Sequence, residues 1–431
     1  MMHLSMKKSK ISREDIAMIE NLEAEARGAL NNVIALQKMP SEAKWFLNCL
    51  YRAFSPRLLA REKPEIILFG EDIPWELTKA AGVRTRVILG GSLETTHWSD
   101  AMLPRDADPI SRSACGWLMN PHFNLAENAL VLTAMTSDSR RKLVGLMRDD
   151  GIRVMAVDLP PMWDRPAWQA AWVDGMAQVA RAIEDHTGKT VTRRALANAI
   201  MQRERVRIGV AAFKRASLRA QGALSPATRQ LILESFWYTP NTDEWLMRLN
   251  GLTAVLNGQA RRFAKPAEDC PRVLIAGSPV IFPNEKLPLL LEASGLALVD
   301  TVNALSAQLE MSAPKLPRFG GVVGLLLQMA QSRLPQDASG AWTVNHGLLN
   351  ELKHKLDSLR VDGVVYHVLK GQIELDFELP RIEALCERYG IPVFRLETDY
   401  QQQDVEQLRI RMEAFAEMLR QQNMEGMRIA L

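Results

Sequence analysis

The sequence predicts an α/β protein with two Rossmann-like, flavodoxin-like parallel-sheet lobes, joined by a helical segment and preceded by a helical lead-in. Its 431 residues, 47% of them hydrophobic, exceed one ordinary core and favour two domains. Short apolar runs alternate with helical segments, which is typical of a parallel sheet covered by helices. This alternation occurs twice, and a stretch with helical spacing alone separates the two occurrences.

Apolar residues at helical spacing predict the lead-in over residues 1–63, and Pro64 ends the pattern. The first lobe follows over residues 64–165. Its strands are predicted from four short apolar runs, Ile66–Phe69, Val87–Leu89, Leu130–Leu132 and Val154–Val157.

The connecting segment covers residues 166–268 and has no strand pattern. Its first helix is predicted from five apolar residues on one face, Trp168, Trp172, Met176, Val179 and Ile183. Gly188 ends that helix, and Thr192 is a plausible N-cap for the next. The second lobe covers residues 269–431. It has four predicted strands, which begin near Arg272, Ala297, Gly363 and Pro392, and a final helix.

Composition narrows the classes of partner. Fifty-three basic and fifty acidic residues give a formal net charge of +3, which is too balanced to imply nucleic acid or an acidic membrane surface as the main partner, and we expect neither. No apolar run approaches the roughly 20 residues that span a bilayer, and the N-terminus lacks a secretion signal. The four cysteines contain no C-x-x-C pair, which argues against a disulfide scaffold or a self-contained zinc site. We expect a soluble, cytoplasmic protein.

The C-terminal sequence carries a family resemblance. The strand pattern at 361–370, Asp376-Phe377-Glu378, Gly390–Val393 and Leu396–Tyr400 are followed by a helix from Gln407. This run resembles the end of the 2-hydroxyacyl-CoA dehydratase and benzoyl-CoA reductase family. The likeness extends from about Pro64 to Leu419 and is strongest over residues 361–419.

The resemblance implies an enzyme subunit that acts on a CoA thioester by a ketyl-radical mechanism. It also implies two homologous subunits in a heterodimer, an iron–sulfur cluster between the lobes and an ATP-dependent activator that supplies an electron. We expect this chain to pair with a cysteine-complete homologous subunit. The sequence leaves open which acyl group is bound and whether the reaction is dehydration or ring reduction.

Loops that follow the carboxyl ends of parallel strands converge, so these loops are the places to inspect for a site. They span residues 70–76, 90–97, 133–138, 277–282 and 370–376. The first contains Glu71 and Glu76, and Glu76 matches a family carboxylate by position. A carboxylate in a closed crevice can exchange a proton, as dehydration of the thioester requires, so both are predicted catalytic residues. Alternatively, Glu76 stabilises the first turn of a helix that starts near Pro74.

Three positions correspond to the family's cluster cysteines. Cys115 matches the first, Ser137 stands in place of the second, and Gln372 in place of the third. Thiolates are the usual cluster ligands, whereas this set offers one thiol, one hydroxyl and one neutral amide. We therefore expect a [4Fe–4S] cluster to be absent or weakly bound in this chain, with Cys115 as its remaining metal ligand. A buried structural role for Cys115 is the alternative.

Gly277-Ser278-Pro279 resembles the family's G-[SC]-P motif. Its glycine suits a close turn and its amides could approach a thioester, so Gly277 and Ser278 are predicted to bind substrate, although a plain strand-to-helix turn fits equally well. Two further hypotheses concern the whole chain. One is a cluster-free homologue that binds acyl-CoA as a regulatory or scaffold subunit, and the other is a cluster held by Cys115 with oxygen ligands.

Overall fold

The fold is described from a computed structural model. It describes residues 13–55, 58, 63–100, 102–120, 123, 125, 127–159, 162, 166–259, 270–333, 336–340 and 342–429. Two four-stranded sheets, both entirely parallel, lie among helices. The predicted two-lobe α/β architecture with a helical N-terminal region is therefore confirmed.

The first sheet has the strand order β2-β1-β3-β4. This order is that of flavodoxin-like folds, in which β1 and β3 flank the point where the connections change sides. The strands are β1 (Ile66–Phe69), β2 (Thr85–Ile88), β3 (Leu130–Ala134) and β4 (Val154–Val157).

The second sheet repeats the arrangement with the order β6-β5-β7-β8. Strands β5 and β7 are thus the counterparts of β1 and β3. Register runs from Val273 opposite Gly363 to Gly277 opposite His367. The strands are β5 (Arg272–Gly277), β6 (Ala297–Val302), β7 (Gly363–Leu369) and β8 (Val393–Thr398).

Helices cover both sheets and fill the connecting segment. Those before β5 are α1 (Arg13–Leu36), α2 (Ala43–Ala53), α3 (Trp75–Ala81), α4 (Leu93–Ser99), α5 (Pro109–Met119), α6 (Asp138–Asp149), α7 (Pro166–Thr187), α8 (Arg193–Arg219), α9 (Pro226–Glu234) and α10 (Thr242–Gln259). Those after it are α11 (Lys286–Ala293), α12 (Ala304–Glu310), α13 (Gly321–Arg333), α14 (His346–Ser358), α15 (Ile373–Asp376), α16 (Leu379–Glu387) and α17 (Val405–Ile429).

Alternate residues of the first sheet pack against different layers. Ile67 and Phe69 belong to a buried cluster that includes residues of α1 and α2, whereas Ile66 and Leu68 belong to another that includes residues of α7 and α13. Because strand side chains alternate between faces, this apolar run on both faces is what a doubly covered sheet requires. The predicted face of α7 is buried in full, and Thr192 accepts a hydrogen bond from the Ala195 amide at 3.2 Å as the N-cap of α8.

The second sheet is covered in the same way. Its Val273 and Ile275 pack on α11 and α17, and Leu274 and Ala276 pack on α14 and α16. No helix among the described residues is long and apolar enough to span a membrane.

The loops after β7 and before α5 bring the lobes together. Gly371 has a positive φ of 85°, and an added Cβ would come within 2.8 Å of the Asp106 carbonyl oxygen and 3.0 Å of the Asp108 amide nitrogen. No side chain fits in that contact. The loop that carries Gln372 therefore lies directly against the N-terminus of α5.

Candidate functional site

The carboxyl ends of β1 and β3 are joined by a buried ion pair. Arg140, in the first turn of α6, pairs with Asp72, which follows β1, and both side chains are buried. The guanidinium lies over the Phe69 ring at 4.9 Å and above Gly70, where an added Cβ would be 2.9 Å from Nη1. Gly70, with a φ of 85°, thus leaves the space that Arg140 occupies.

Glu71 lies beside this ion pair and remains partly exposed. The pKa of Glu71 is raised to about 7, chiefly by burial and also by the Asp72 charge, while Arg140 opposes the shift. A carboxyl with this pKa can donate or accept a proton near neutral pH. The geometry therefore gives the predicted residue Glu71 the environment that proton transfer needs.

Two further carboxyls reach the same place from either side of the lobe junction. Asp108 caps α5 by accepting a hydrogen bond from the Ser111 amide at 2.9 Å, and its buried Oδ2 has no partner among the described residues. Glu374, in α15, has its pKa raised to about 7 by burial, with Asp108 adding to the shift and Arg140 opposing it. We call Glu71, Asp72, Asp108, Arg140 and Glu374 the interlobe cluster.

Glu76 is placed elsewhere. It lies in the first turn of α3, is 1% exposed, and forms a buried ion pair with Arg203 of α8. Arg203 also donates to the Gln308 carbonyl at 3.3 Å. This geometry suits the structural alternative for Glu76, because a charge held by a buried partner is part of the packing between α3 and α8.

Ser278 and Gln372 are brought together at the end of the second sheet. The Ser278 hydroxyl donates to Gln372 Oε1 at 2.6 Å and accepts from the Leu369 amide at 2.8 Å. Gly277, with a φ of 108°, lies so close to β7 that an added Cβ would be 2.3 Å from the His367 carbonyl oxygen. Both predicted substrate-binding residues thus serve the junction of β5 and β7, and Ser278 is fully buried.

Cys115 and Ser137 are also engaged in the packing. Cys115 is fully buried in the core beneath α5, with its Sγ 3.6 Å from Met119 Sδ, and burial raises the pKa of its thiol to about 12. Ser137 caps α6 and accepts a hydrogen bond from the Arg140 amide at 3.2 Å. The same turn therefore sets the position of Arg140.

Comparison with known proteins identifies the family. A sequence model described as 2-hydroxyglutaryl-CoA dehydratase, D-component, matches residues 72–419, which is most of the chain. The chain belongs to this family. It is also 26% identical over 352 residues to the Escherichia coli (strain K12) protein named "Putative dehydratase subunit YjiM", covering 80% of this chain and 89% of that protein. The predicted resemblance is confirmed.

The donor set of this D-component family member does not fit an iron–sulfur cluster. A cluster needs deprotonated soft ligands, yet the Cys115 thiol is held protonated in an apolar core. The Ser137 hydroxyl is committed to a helix cap and the Gln372 amide to Ser278. Among the described residues, no group of three or more His, Cys, Asp and Glu side chains is arranged to hold a metal ion.

Sequence reasoning missed Asp72, Asp108, Arg140 and Glu374 as site residues. Glu374 lies inside the loop at 370–376, which follows a predicted strand, and Arg140 lies in the segment that resembles the family's cysteine motif. The sequence signal for these residues was the presence of acidic side chains in the loops that follow β1 and β7. Their partner Arg140 could not be identified, because the pairing depends on contact between loops about 70 residues apart.

Proposed function

We propose that this chain is a subunit of a 2-hydroxyacyl-CoA dehydratase or benzoyl-CoA reductase-like enzyme that acts on a CoA thioester. Family membership supports a dehydratase-like subunit. The observation that carries the catalytic part is the interlobe cluster, where the charge of Arg140 acts on Glu71 and Glu374 of different lobes, whose pKa values are raised to about 7.

Dehydration of a 2-hydroxyacyl thioester removes a hydrogen from the β-carbon and a hydroxyl from the α-carbon, and the net loss is one water. One group must accept the β-proton and another must protonate the departing hydroxyl. Two carboxyls with pKa values near 7 are present in both protonation states at neutral pH, so one can act as base and the other as acid. Arg140 keeps their ionised forms accessible by opposing the effect of burial.

In this proposal the chain supplies the acyl-CoA pocket and the proton-transfer groups. The electron for the family's ketyl-radical chemistry is assigned to a cysteine-complete homologous subunit, which an ATP-dependent activator serves. The buried thiol of Cys115, the capping role of Ser137 and the Ser278–Gln372 hydrogen bond support this division. The same three observations favour a second candidate function, a cluster-free homologue that binds acyl-CoA in a regulatory or scaffold role.

Isothermal titration calorimetry with a panel of 2-hydroxyacyl-CoA and aryl-CoA thioesters tests ligand binding, which both candidates require. We expect at least one thioester to bind the purified full-length chain. Arg140→Met should weaken that binding, because it removes the cation at the centre of the interlobe cluster. Exposed Arg141, the next residue along α6, gives the matched control as Arg141→Met. No binding across the panel would contradict both candidates.

Reconstitution separates the two candidates. The chain should co-purify anaerobically with its cysteine-complete homologue, and the complex with activator and ATP should turn over a thioester from the panel. In that assay Glu71→Gln and Glu374→Gln should each lower kcat by about 10²–10⁴-fold, while Glu383→Gln, at an exposed position of α16, should leave it unchanged. Activity that survives both substitutions in one chain would leave only the binding role.

Iron analysis tests the assignment of the cluster. After anaerobic reconstitution with iron and sulfide, the isolated chain should contain no stoichiometric iron, whereas its homologue should. A stable cluster in the isolated chain would contradict the division of roles. It would instead support ligation by Cys115 with oxygen ligands.

A further inference from the structure

A pocket of about 80 Å³ lies between the connecting helices α8 and α9 and the second lobe. Its far wall is β6, an edge strand of the second sheet, together with the N-terminus of α12. None of the residues that line it belongs to the interlobe cluster. The pocket is therefore a separate place on the molecule, and nothing in the proposed function uses it.

Most of the pocket wall is apolar. Phe213 of α8 and Trp237, which follows α9, face Leu305 and Leu309 of α12, with Leu233 at the partly exposed rim. A site built of such side chains gains free energy by covering a small apolar group. The modest volume limits that group to a short acyl chain or one aromatic ring.

The charges that line the pocket are neutralised at one end. Lys214 is 2.5 Å from Asp300 and also pairs with Glu310, and both carboxylates are paired again with Lys355. Glu234 is buried close to Glu285, and burial followed by that neighbouring charge raises the pKa of Glu234 well above its usual range. Burial therefore disfavours the charged form of Glu234, which is the form that would repel an anion.

Arg229 differs from these groups. Its Nη2 donates to the carbonyl oxygen of Leu298 at 2.5 Å, yet no carboxylate of the described residues lies within 4.0 Å of its guanidinium. Glu292 and Asp300 act on it only from a greater distance. Gln230, the next residue, has a buried side-chain oxygen with no hydrogen-bond partner in the part of the chain described. At this end of the pocket Arg229 therefore offers the donors for an anion, because the unpartnered Gln230 oxygen accepts hydrogen bonds and does not donate them.

We propose that this pocket binds a small amphipathic monocarboxylate, with its carboxylate on Arg229 and its apolar body against Phe213, Trp237 and Leu305. A guanidinium pairs with a carboxylate in a planar, two-point geometry, which an ammonium does not offer. The inference depends on the shape and charge of this pocket and not on the proposed reaction. It therefore stands or fails independently of the interlobe cluster.

Calorimetry on the full chain with hexanoate and benzoate tests the proposal. At least one should bind with a Kd below about 1 mM, and the matched alcohols, hexanol and benzyl alcohol, should bind at least about tenfold more weakly because they lack the charge. Equal affinity for acid and alcohol would overturn the assignment of Arg229. No binding of either acid at several millimolar would overturn the site.

Two variants locate the binding. Arg229→Gln should weaken the acid at least about tenfold through loss of a charge-assisted hydrogen bond. Leu233→Trp should abolish binding by filling the pocket from its rim, and it keeps Arg229 intact should the first variant fold poorly. The control is Arg215→Gln, since Arg215 is exposed on α8 and lies outside the pocket lining. Binding that survives Leu233→Trp would place the acid elsewhere and refute the proposal.

Discussion

The two lobes use the same strand order but close their central strands with different chemistry. In the first lobe, the loops after β1 and β3 are joined by the buried ion pair of Asp72 and Arg140. In the second, the loops after the counterpart strands β5 and β7 are joined by the neutral hydrogen bond of Ser278 and Gln372. A charged link can shift the pKa of a neighbouring carboxyl, whereas a neutral link chiefly fixes the backbone.

Because of this difference, the two lobes contribute different parts of the site. The first lobe provides Arg140 with Glu71 and Asp108, and the second provides the loop and short helix that carry Glu374. The glycines show the same division. Gly70 makes room for a guanidinium, whereas Gly277 makes room for the backbone of β7. Two sheets with the same strand order therefore differ at the carboxyl ends of their central strands. The first carries a buried ion pair, and the second carries a neutral hydrogen bond that positions a loop.

The largest effect is expected from breaking the charged link. Arg140→Met leaves Asp72 buried without its partner, which should lower the free energy of unfolding by about 3–5 kcal/mol. Urea denaturation measures the change. Arg141→Met is the control, because Arg141 is half exposed, pairs with Asp158 at 3.1 Å on the surface, and should cost less than about 1 kcal/mol. Equal losses in both variants would show that the buried Asp72–Arg140 pair contributes no more to the free energy of unfolding than the surface pair does.

The second-largest effect is expected at Gly277, which lies next to the neutral Ser278–Gln372 link of the second lobe. Gly277→Ala introduces a Cβ that would be 2.3 Å from the His367 carbonyl oxygen at a φ of 108°. The clash and the backbone strain together should cost about 3 kcal/mol. Gly82→Ala separates the two terms, since Gly82 has a φ of 65° with nothing near the added Cβ, and should cost about 1 kcal/mol. Similar losses would mean that β7 yields to the added methyl group.

Removing the neutral link itself should cost less. Ser278→Ala deletes the donor to Gln372 and leaves the buried Leu369 amide without its acceptor, for a loss of about 1–3 kcal/mol in the same denaturation assay. Exposed Ser41 is the matched serine, and Ser41→Ala should change stability by less than about 0.5 kcal/mol. A loss as large as that of Arg140→Met would erase the distinction between the lobes.

The fold was predictable because it follows from periodic burial. Apolar runs such as Ile66–Phe69 and the face from Trp168 to Ile183 are buried as their spacing requires. Local signals also sufficed for the N-cap at Thr192. These features depend on neighbours along the chain, which a single sequence contains.

The site was only partly predictable, because it depends on which charged side chains become neighbours in the folded chain. Glu71 and Glu76 stand five residues apart and both follow β1, yet one lies by Arg140 and the other pairs with Arg203. Glu76 falls in the first turn of α3 and faces α8, so helix geometry turns it away from Glu71. No pattern in the sequence distinguishes the two partners. The pairing is set by tertiary contacts alone.

The last prediction concerns the pH dependence of stability, and it compares Glu71 with Glu374 across the lobe junction. Each carboxyl has a folded pKa of about 7 against an ordinary value of 4.5, so the folded state binds more protons between those values. The stability that each contributes is present below pH 4.5 and is lost as the pH rises through about 7. Glu71→Gln or Glu374→Gln should therefore reduce the fall in unfolding free energy between about pH 5 and pH 8.

Glu383→Gln should leave that fall unchanged, because Glu383 is exposed and solvated in both states. Other buried carboxyls such as Glu25 and Glu292 also titrate in this range, so the difference from wild type is the informative quantity. Arg140→Met should have the opposite effect to the glutamine variants. It removes the charge that opposes the raised pKa of both carboxyls, and the pH at which their stabilisation disappears should move upward. A shift at Glu71 without one at Glu374 would mean that Arg140 serves the first lobe alone and that the two carboxyls do not share a site.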